Sequence, residues 1–405
     1  MNAPVPVSVF AHIELAPKDP ILGVTETFVA DRNPRKVNLG VGVYSDDNGR
    51  VPLLACVKTA EEQSLKQGAP KTYLPIDGLA AYDRAVQGLL LGSDSELIKA
   101  GRVITVQALG GTGGLKVGAD FLRKFGSSDE VWISDPSWEN HRALFEYAGF
   151  TVKNYPYYDA ATHGLNFAGM RAALAAMAPG TIVVLHACCH NPTGVDLTAA
   201  HWTEVIELVR SRNLVPFLDI AYQGFGDGID ADGEVVRRFA AADIPMLISS
   251  SFSKSFSLYG ERIGALTMVT GSSEEAARVL SQLKRVIRTN YSNPPTHGGQ
   301  AVAMVLATPE LRKLWEEELG QMRVRIKEMR RALVDKLKAR VPGRNFDFVL
   351  AQRGMFSYSG LTSAEVLRLR SEYAIYAIET GRICVAALNS RNIDYVADSI
   401  ASVIA

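Results

Sequence analysis

The chain has 405 residues, 47% of them hydrophobic and 21% charged, which excludes a largely disordered protein and exceeds what one ordinary core can organise. Its 43 basic and 43 acidic residues cancel, so no electrostatic footprint calls for nucleic acid or a membrane surface as partner. The four cysteines, Cys56, Cys188, Cys189 and Cys384, form neither a metal-ligand spacing nor a secreted-type framework, which fits a reducing compartment. The first ten residues lack a charged segment followed by an apolar one, and no apolar stretch is long enough to cross a bilayer. The expectation is a cytoplasmic protein with no metal.

Short aliphatic runs at 103–109, 131–134, 182–188, 215–220, 246–250 and 263–269 alternate with amphipathic stretches such as 202–212. This pattern predicts strands covered on both faces in a mostly parallel sheet, an α/β class. Ligands of such sheets sit beyond the carboxyl ends of the strands, so residues just after each run are the candidates for chemistry.

The first run leads into Gly110-Gly111-Thr112-Gly113-Gly114 before a helix-like stretch. The glycines read either as a tight turn or as a cradle for a phosphate, with Thr112 as an added donor. Trp138 follows the second run and reads as core or as a platform for a ring. His190-Asn191-Pro192-Thr193-Gly194 follows the third, and the proline holds Asn191 extended. Asp219 closes the fourth run, with Tyr222 just beyond; a carboxylate there either caps the next turn or faces a cationic ring nitrogen.

After the fifth run comes Ser251-Phe252-Ser253-Lys254, with further hydroxyls at Ser249, Ser250, Ser255 and Ser257 and a cation at Arg262. Hydroxyls and a guanidinium suit a phosphate. Burial and a neighbouring cation lower a lysine's pKa and make it a nucleophile towards carbonyls. The same four residues match Ser-x-x-Lys of penicillin-recognising serine enzymes, whose companions Ser-Asp-Asn and Lys-Thr-Gly are absent from the sequence. From 310 to 340 apolar residues recur every three or four positions, which predicts one long helix ended by Pro342 and Gly343. Alternating strands and helices are expected again from 346 to 405.

In kind and order these motifs resemble the fold-type I pyridoxal-phosphate enzymes and, among them, the class I aspartate and aromatic aminotransferases. The resemblance covers the chain from residue 20 onward. It is carried by Ser251-Phe252-Ser253-Lys254 with Leu258-Tyr259-Gly260-Glu261-Arg262, by His190-Asn191-Pro192-Thr193-Gly194, and by Tyr291-Ser292-Asn293-Pro294-Pro295. It implies a large, mostly parallel seven-stranded sheet domain sandwiched by helices, and a smaller α/β domain. Residues 1–47 would be an N-terminal arm and the first part of the small domain, 48–320 the large cofactor-binding domain, and 321–405 the rest of the small domain, joined by the long helix.

The resemblance also implies roles. Lys254 would hold pyridoxal 5'-phosphate as a Schiff base and shuttle the substrate's α-proton. Asp219 would pair with the ring nitrogen, supported by His141, while Tyr222 and Asn191 would bond the ring's phenolic oxygen. Gly111, Thr112, Ser251 and Arg262 would hold the phosphate, and Trp138 would stack on the ring. Arg382 would clamp the substrate α-carboxylate, and Gly42, in Val41-Gly42-Val43-Tyr44, would leave room for ligand. Tyr73 and Arg288 would serve the neighbouring subunit's site, reaching its phosphate and the distal carboxylate of a dicarboxylic substrate, so a homodimer is implied.

The implied activity is ping-pong transfer of the amino group from aspartate, tyrosine or phenylalanine to 2-oxoglutarate. Ser45, Val51 and Thr72 depart from the strict aspartate pattern, whereas Thr112 and Asn293 keep it, which suggests acceptance of both donor classes. A lyase or decarboxylase on the same scaffold would share Lys254 without needing Arg382 and Arg288 together. A silent binding protein would show no absorbance change with glutamate.

Overall fold

The computed structural model describes residues 8–17, 19 and 21–404. The first seven residues of the expected arm, position 20 where the resemblance starts, and positions 18 and 405 lie outside the described residues.

The aliphatic runs form one seven-stranded sheet: β1 Val103–Leu109, β2 Glu130–Asp135, β3 Thr151–Pro156, β4 Ile182–His186, β5 Val215–Ile220, β6 Met246–Ser251 and β7 Ile263–Val269. Their spatial order is β1-β7-β6-β5-β4-β2-β3. Neighbours are parallel except around β7, which is antiparallel to both β1 and β6. Successive side chains feed opposite faces, as a pleated strand requires. Val183 and Leu185 join one apolar cluster, and Ile182 and Val184 join the other. Helices such as Ala199–Ser211 and Ile229–Ala241 make the parallel crossovers.

Two differences from the sequence reading have simple causes. Strand β3 has no aliphatic run; it lies at the sheet edge and buries only Val152 and Tyr155 between polar neighbours. The run at 182–188 stops pairing at His186, and Cys189 adopts a positive φ of 52° that turns the chain out of the sheet.

The long helix spans Pro309–Arg340, about 48 Å at ~1.5 Å per residue. It starts on proline and buries Leu311, Trp315, Leu319, Met322, Ile326, Leu333 and Leu337, the stripe read from the sequence. Trp315 donates its indole N–H to the Ser255 carbonyl at 2.7 Å, fixing the helix beside the Lys254 loop.

Beyond it, Phe356–Tyr358 pairs antiparallel with Arg382–Cys384. Val37–Asn38 pairs in parallel with Ile375–Tyr376, joining the beginning of the chain to its end. Among the described residues no helix is long and apolar enough to cross a membrane.

Candidate active site

A cavity of about 320 Å³ opens where β4, β5 and β6 end, between the large sheet and the Arg382 strand. This is the position that parallel-sheet topology favours for a ligand.

Asp219 lies near the end of β5 and is almost fully buried. Burial pushes its carboxyl up, but the His141 bond and charge, with His186 and Lys254 nearby, outweigh that and leave it below the ordinary carboxylate value. His141 Nε2 is 2.9 Å from Asp219 Oδ2, and His141 Nδ1 is 2.9 Å from Ser137 Oγ. The chain from Ser137 through His141 holds an ionised carboxylate at the cavity floor. Such a group favours a protonated ring nitrogen opposite it.

His186 was not singled out from the sequence. It pairs in register with Asp219, lines the cavity, and among the described residues has no partner for either ring nitrogen. Burial, then the neighbouring His141, lowers its pKa to about 3, so it is neutral. Its only signal in the sequence was its place within the 182–188 run.

Lys254 follows β6 and lines the cavity, with Nζ 4.9 Å from the Tyr222 ring centroid. Desolvation pulls its pKa down to about 8; Arg262 acts in the same direction and Asp219 against it. A substantial fraction of this amine is neutral near physiological pH, as a nucleophile or base needs. Tyr222 is buried behind it, and that burial raises its phenol above the ordinary value.

The glycine run is not a loop before a helix but the first turn of the helix Gly110–Phe125. Gly110 has φ 69°, and a Cβ there would come within 2.5 Å of an Arg262 nitrogen. Glycine therefore lets Arg262 lie against the helix amino terminus. Gly111, Thr112, Ser251, Ser253 and Arg262 all line this corner. Arg262 donates to Ser253 Oγ at 3.3 Å and to the Tyr259 carbonyl at 3.0 Å, and pairs with no carboxylate among the described residues. Free helix N–H groups, hydroxyls and an unpaired guanidinium make an anion site.

Trp138 precedes the helix Glu139–Tyr147, with its ring 5.3 Å from His141. It packs on the core and also borders the cavity. Asn191 is buried and accepts from Arg382 Nη1 at 3.1 Å.

Arg382 is 1% exposed. Its Nη2 donates to the Gly40 carbonyl at 2.6 Å, its guanidinium lies 4.3 Å from the Phe356 ring centroid, and its Nε has no partner among the described residues. A buried guanidinium with an unused N–H and no carboxylate is prepared for an acid from outside. Gly42 lies against Phe356, where a Cβ would meet the ring at 2.5 Å, so only glycine fits. Ile21 and Leu22 also line the cavity, and Leu22 is 60% exposed. Two apolar residues at a helix start gave no sequence signal of a site.

The structure thus brings together every predicted site residue except Tyr73 and Arg288, which do not line the cavity of this chain. Tyr73 is 90% exposed. Arg288 is exposed in the last turn of the helix Ser273–Asn290, bonded to Ser292. Their segments are neighbours, since Asn293 donates to the Leu74 carbonyl at 3.3 Å and Lys284 pairs with Asp77 at 3.0 Å.

The donor set fits pyridoxal phosphate: an anion corner, an ionised acid across the floor, and a neutralisable amine between them. A sequence model described as aminotransferase class I and II matches residues 34–400. An aspartate aminotransferase of Pseudomonas aeruginosa is 60% identical over 98% of this chain and 100% of that one. An aromatic-amino-acid aminotransferase of Escherichia coli is 49% identical over 97% of this chain and 100% of its own length. The crystal structure of an aromatic-amino-acid aminotransferase from Burkholderia pseudomallei, covalently bound to pyridoxal phosphate, superimposes with a TM-score of 0.96. It is 66% identical and covers 98% of this chain and 100% of its own.

Proposed function

This chain belongs to the aminotransferase class I and II family, and we propose that it moves the amino group of aspartate and of aromatic amino acids to 2-oxoglutarate, using pyridoxal phosphate, in two half-reactions. The observation that carries the reading is one cavity holding a lysine of lowered pKa, an ionised acid–histidine pair and a guanidinium free of carboxylate.

In this reading the phosphate is held by Gly111, Thr112, Ser251 and Arg262 at the helix amino terminus. Asp219, kept charged by His141, would pair with the ring nitrogen, Tyr222 and Asn191 would bond the phenolic oxygen, and Trp138 would stack on the ring. Bound there, the cofactor supplies an aldehyde that accepts amines and a ring that takes up electron density when the α-proton leaves. Lys254 would be the covalent anchor at rest; once the substrate's amine has displaced it, its freed neutral amine would carry that proton from the substrate's α-carbon. Arg382 receives the α-carboxylate through parallel N–H donors and fixes the α-carbon within reach of Lys254.

Tyr73 and Arg288 act on a second copy's site, so the working unit is a two-fold homodimer. Their exposure and the adjacency of their segments support this. Arg288 would meet the distal carboxylate of aspartate. Ser45, Val51 and Thr72, with relatives named for both substrate classes, support acceptance of aromatic donors as well. The division into 1–47 with 321–405 and 48–320 is supported by the pairing of Val37–Asn38 with Ile375–Tyr376. Four free, buried cysteines, as a reducing compartment keeps them, support a cytoplasmic location.

The test is a half-reaction. Glutamate added to cofactor-loaded protein should release 2-oxoglutarate once per site and then stop until another 2-oxo acid is supplied. Borohydride reduction of the resting protein should place the cofactor on Lys254. Continuous product without an acceptor, or a label on another side chain, would overturn the reading.

A further inference from the structure

Arg330 lies in the long helix, on the face that otherwise carries apolar side chains, and is 3% exposed. No carboxylate pairs with it among the described residues. Burial lowers its pKa to about 10, with Cys189, Asp196 and Cys384 partly offsetting this. A buried, unpaired charge is costly and persists where its hydrogen bonds do a job apolar packing cannot.

Those bonds go to one place. Arg330 Nη2 donates to the carbonyls of Gly354 and Phe356, each at 2.9 Å, and Nε donates to Ser357 Oγ at 3.3 Å. The strand Phe356–Tyr358 pairs on its other edge with Arg382–Cys384. Arg330 therefore closes the open edge of a two-stranded sheet, standing in for a third strand.

That sheet carries both halves of the carboxylate site. Arg382 rises from one strand and Phe356 from the other, with the guanidinium 4.3 Å from the Phe356 ring centroid. The Phe356 ring also meets Tyr222, at 5.9 Å between centroids, and closes against Gly42. On the loop side, the Arg353 N–H bonds the Gly194 carbonyl at 2.7 Å, and a Cβ on Gly194 would fall 2.8 Å from the Phe356 carbonyl. The strand is thus clamped between the loop bearing Asn191 and the long helix.

We propose that Arg330 is a positioning residue for substrate binding: by fixing Phe356 it sets the plane of the Arg382 guanidinium, and so the affinity for any carboxylate entering the site. The proposal rests on the reading of Arg382 as the α-carboxylate clamp. Arg330 itself touches neither substrate nor cofactor, so it acts through Arg382: chiefly on KM, and on the proton transfer at Lys254 only as far as the α-carbon is displaced. Because the α-carboxylate is common to all donors, aspartate and phenylalanine are affected alike.

The experiment compares cofactor-loaded wild type, Arg330→Lys and Arg330→Met. In Arg330→Met, KM for aspartate and for phenylalanine should each rise about tenfold, with kcat and cofactor affinity little changed. The dissociation constant of hydrocinnamate, a carboxylate without an amine, should rise by a similar factor. Arg330→Lys, which keeps a cation but not the fork, should fall between the two. Unchanged KM and hydrocinnamate affinity in cofactor-loaded Arg330→Met would overturn the proposal, as would a loss confined to kcat. If Arg330→Met fails to fold, Arg330→Lys carries the test alone, with a several-fold rise in both KM values expected and no rise overturning the proposal. Wild-type protein without any transamination would defeat the functional reading instead, so the two failures are distinct.

Discussion

The floor of the cavity and the surface around Tyr73 and Arg288 contrast sharply. At the floor, Asp219, His141 and Ser137 satisfy one another within a single chain, and Lys254 sits in the field they create. At the surface, Tyr73 is almost wholly exposed and Arg288 is exposed beside Ser292. The floor is complete within one chain; the surface pair stands in the open and lines no part of the cavity. Chemistry is thus built into the sheet ends, whereas in the proposed dimer discrimination among substrates falls to groups that serve a second copy.

The sharpest way to break this contrast is at the floor. Lys254→Ala should retain cofactor through the anion corner yet lose about 10⁴-fold in turnover, the upper end of what a single acid–base group contributes. Steady-state assays with spectral titration of the cofactor check this, and near-normal turnover would remove Lys254 from the mechanism.

A smaller and selective effect is expected at the surface. Arg288→Leu should reduce kcat/KM for aspartate by about a hundredfold, the scale of one desolvated charge-assisted contact, and change phenylalanine little. Equal losses for the two donors would show that Arg288 does not read the distal carboxylate.

The smallest effect concerns pH. Protonated Lys254 cannot attack an aldehyde, and its pKa is lowered to about 8. Raising the pH through that value therefore frees the amine. The rate at which cofactor-free protein condenses with pyridoxal phosphate should rise about tenfold from pH 7 to pH 9 and then level off. A rise continuing to the ordinary lysine range would mean that Lys254 is not desolvated.

The same contrast explains what the sequence could tell. Floor residues were legible because each follows an aliphatic run, and the topology of parallel sheets sends such residues to one place. Asp219, Asn191, Lys254 and the glycine run needed no more than that rule to be suspected, although their roles came from the resemblance. Tyr73 and Arg288 had no local signal at all. Strand β3 was missed because an edge strand buries few side chains and need not be aliphatic. His186 was hidden inside a run read as strand, and Arg330 lies among the many charged positions of a long helix, where a cation ordinarily faces water. Long-range partners, not local pattern, give these residues their meaning.

The pairing of Val37–Asn38 with Ile375–Tyr376 fastens segments far apart in the sequence, and Arg382 donates to the Gly40 carbonyl beside it. The anion corner is assembled from residues between Gly110 and Arg262. Long-range contacts form slowly because loop closure must precede them, so a refolding chain gains its hold on phosphate before its hold on an amino acid.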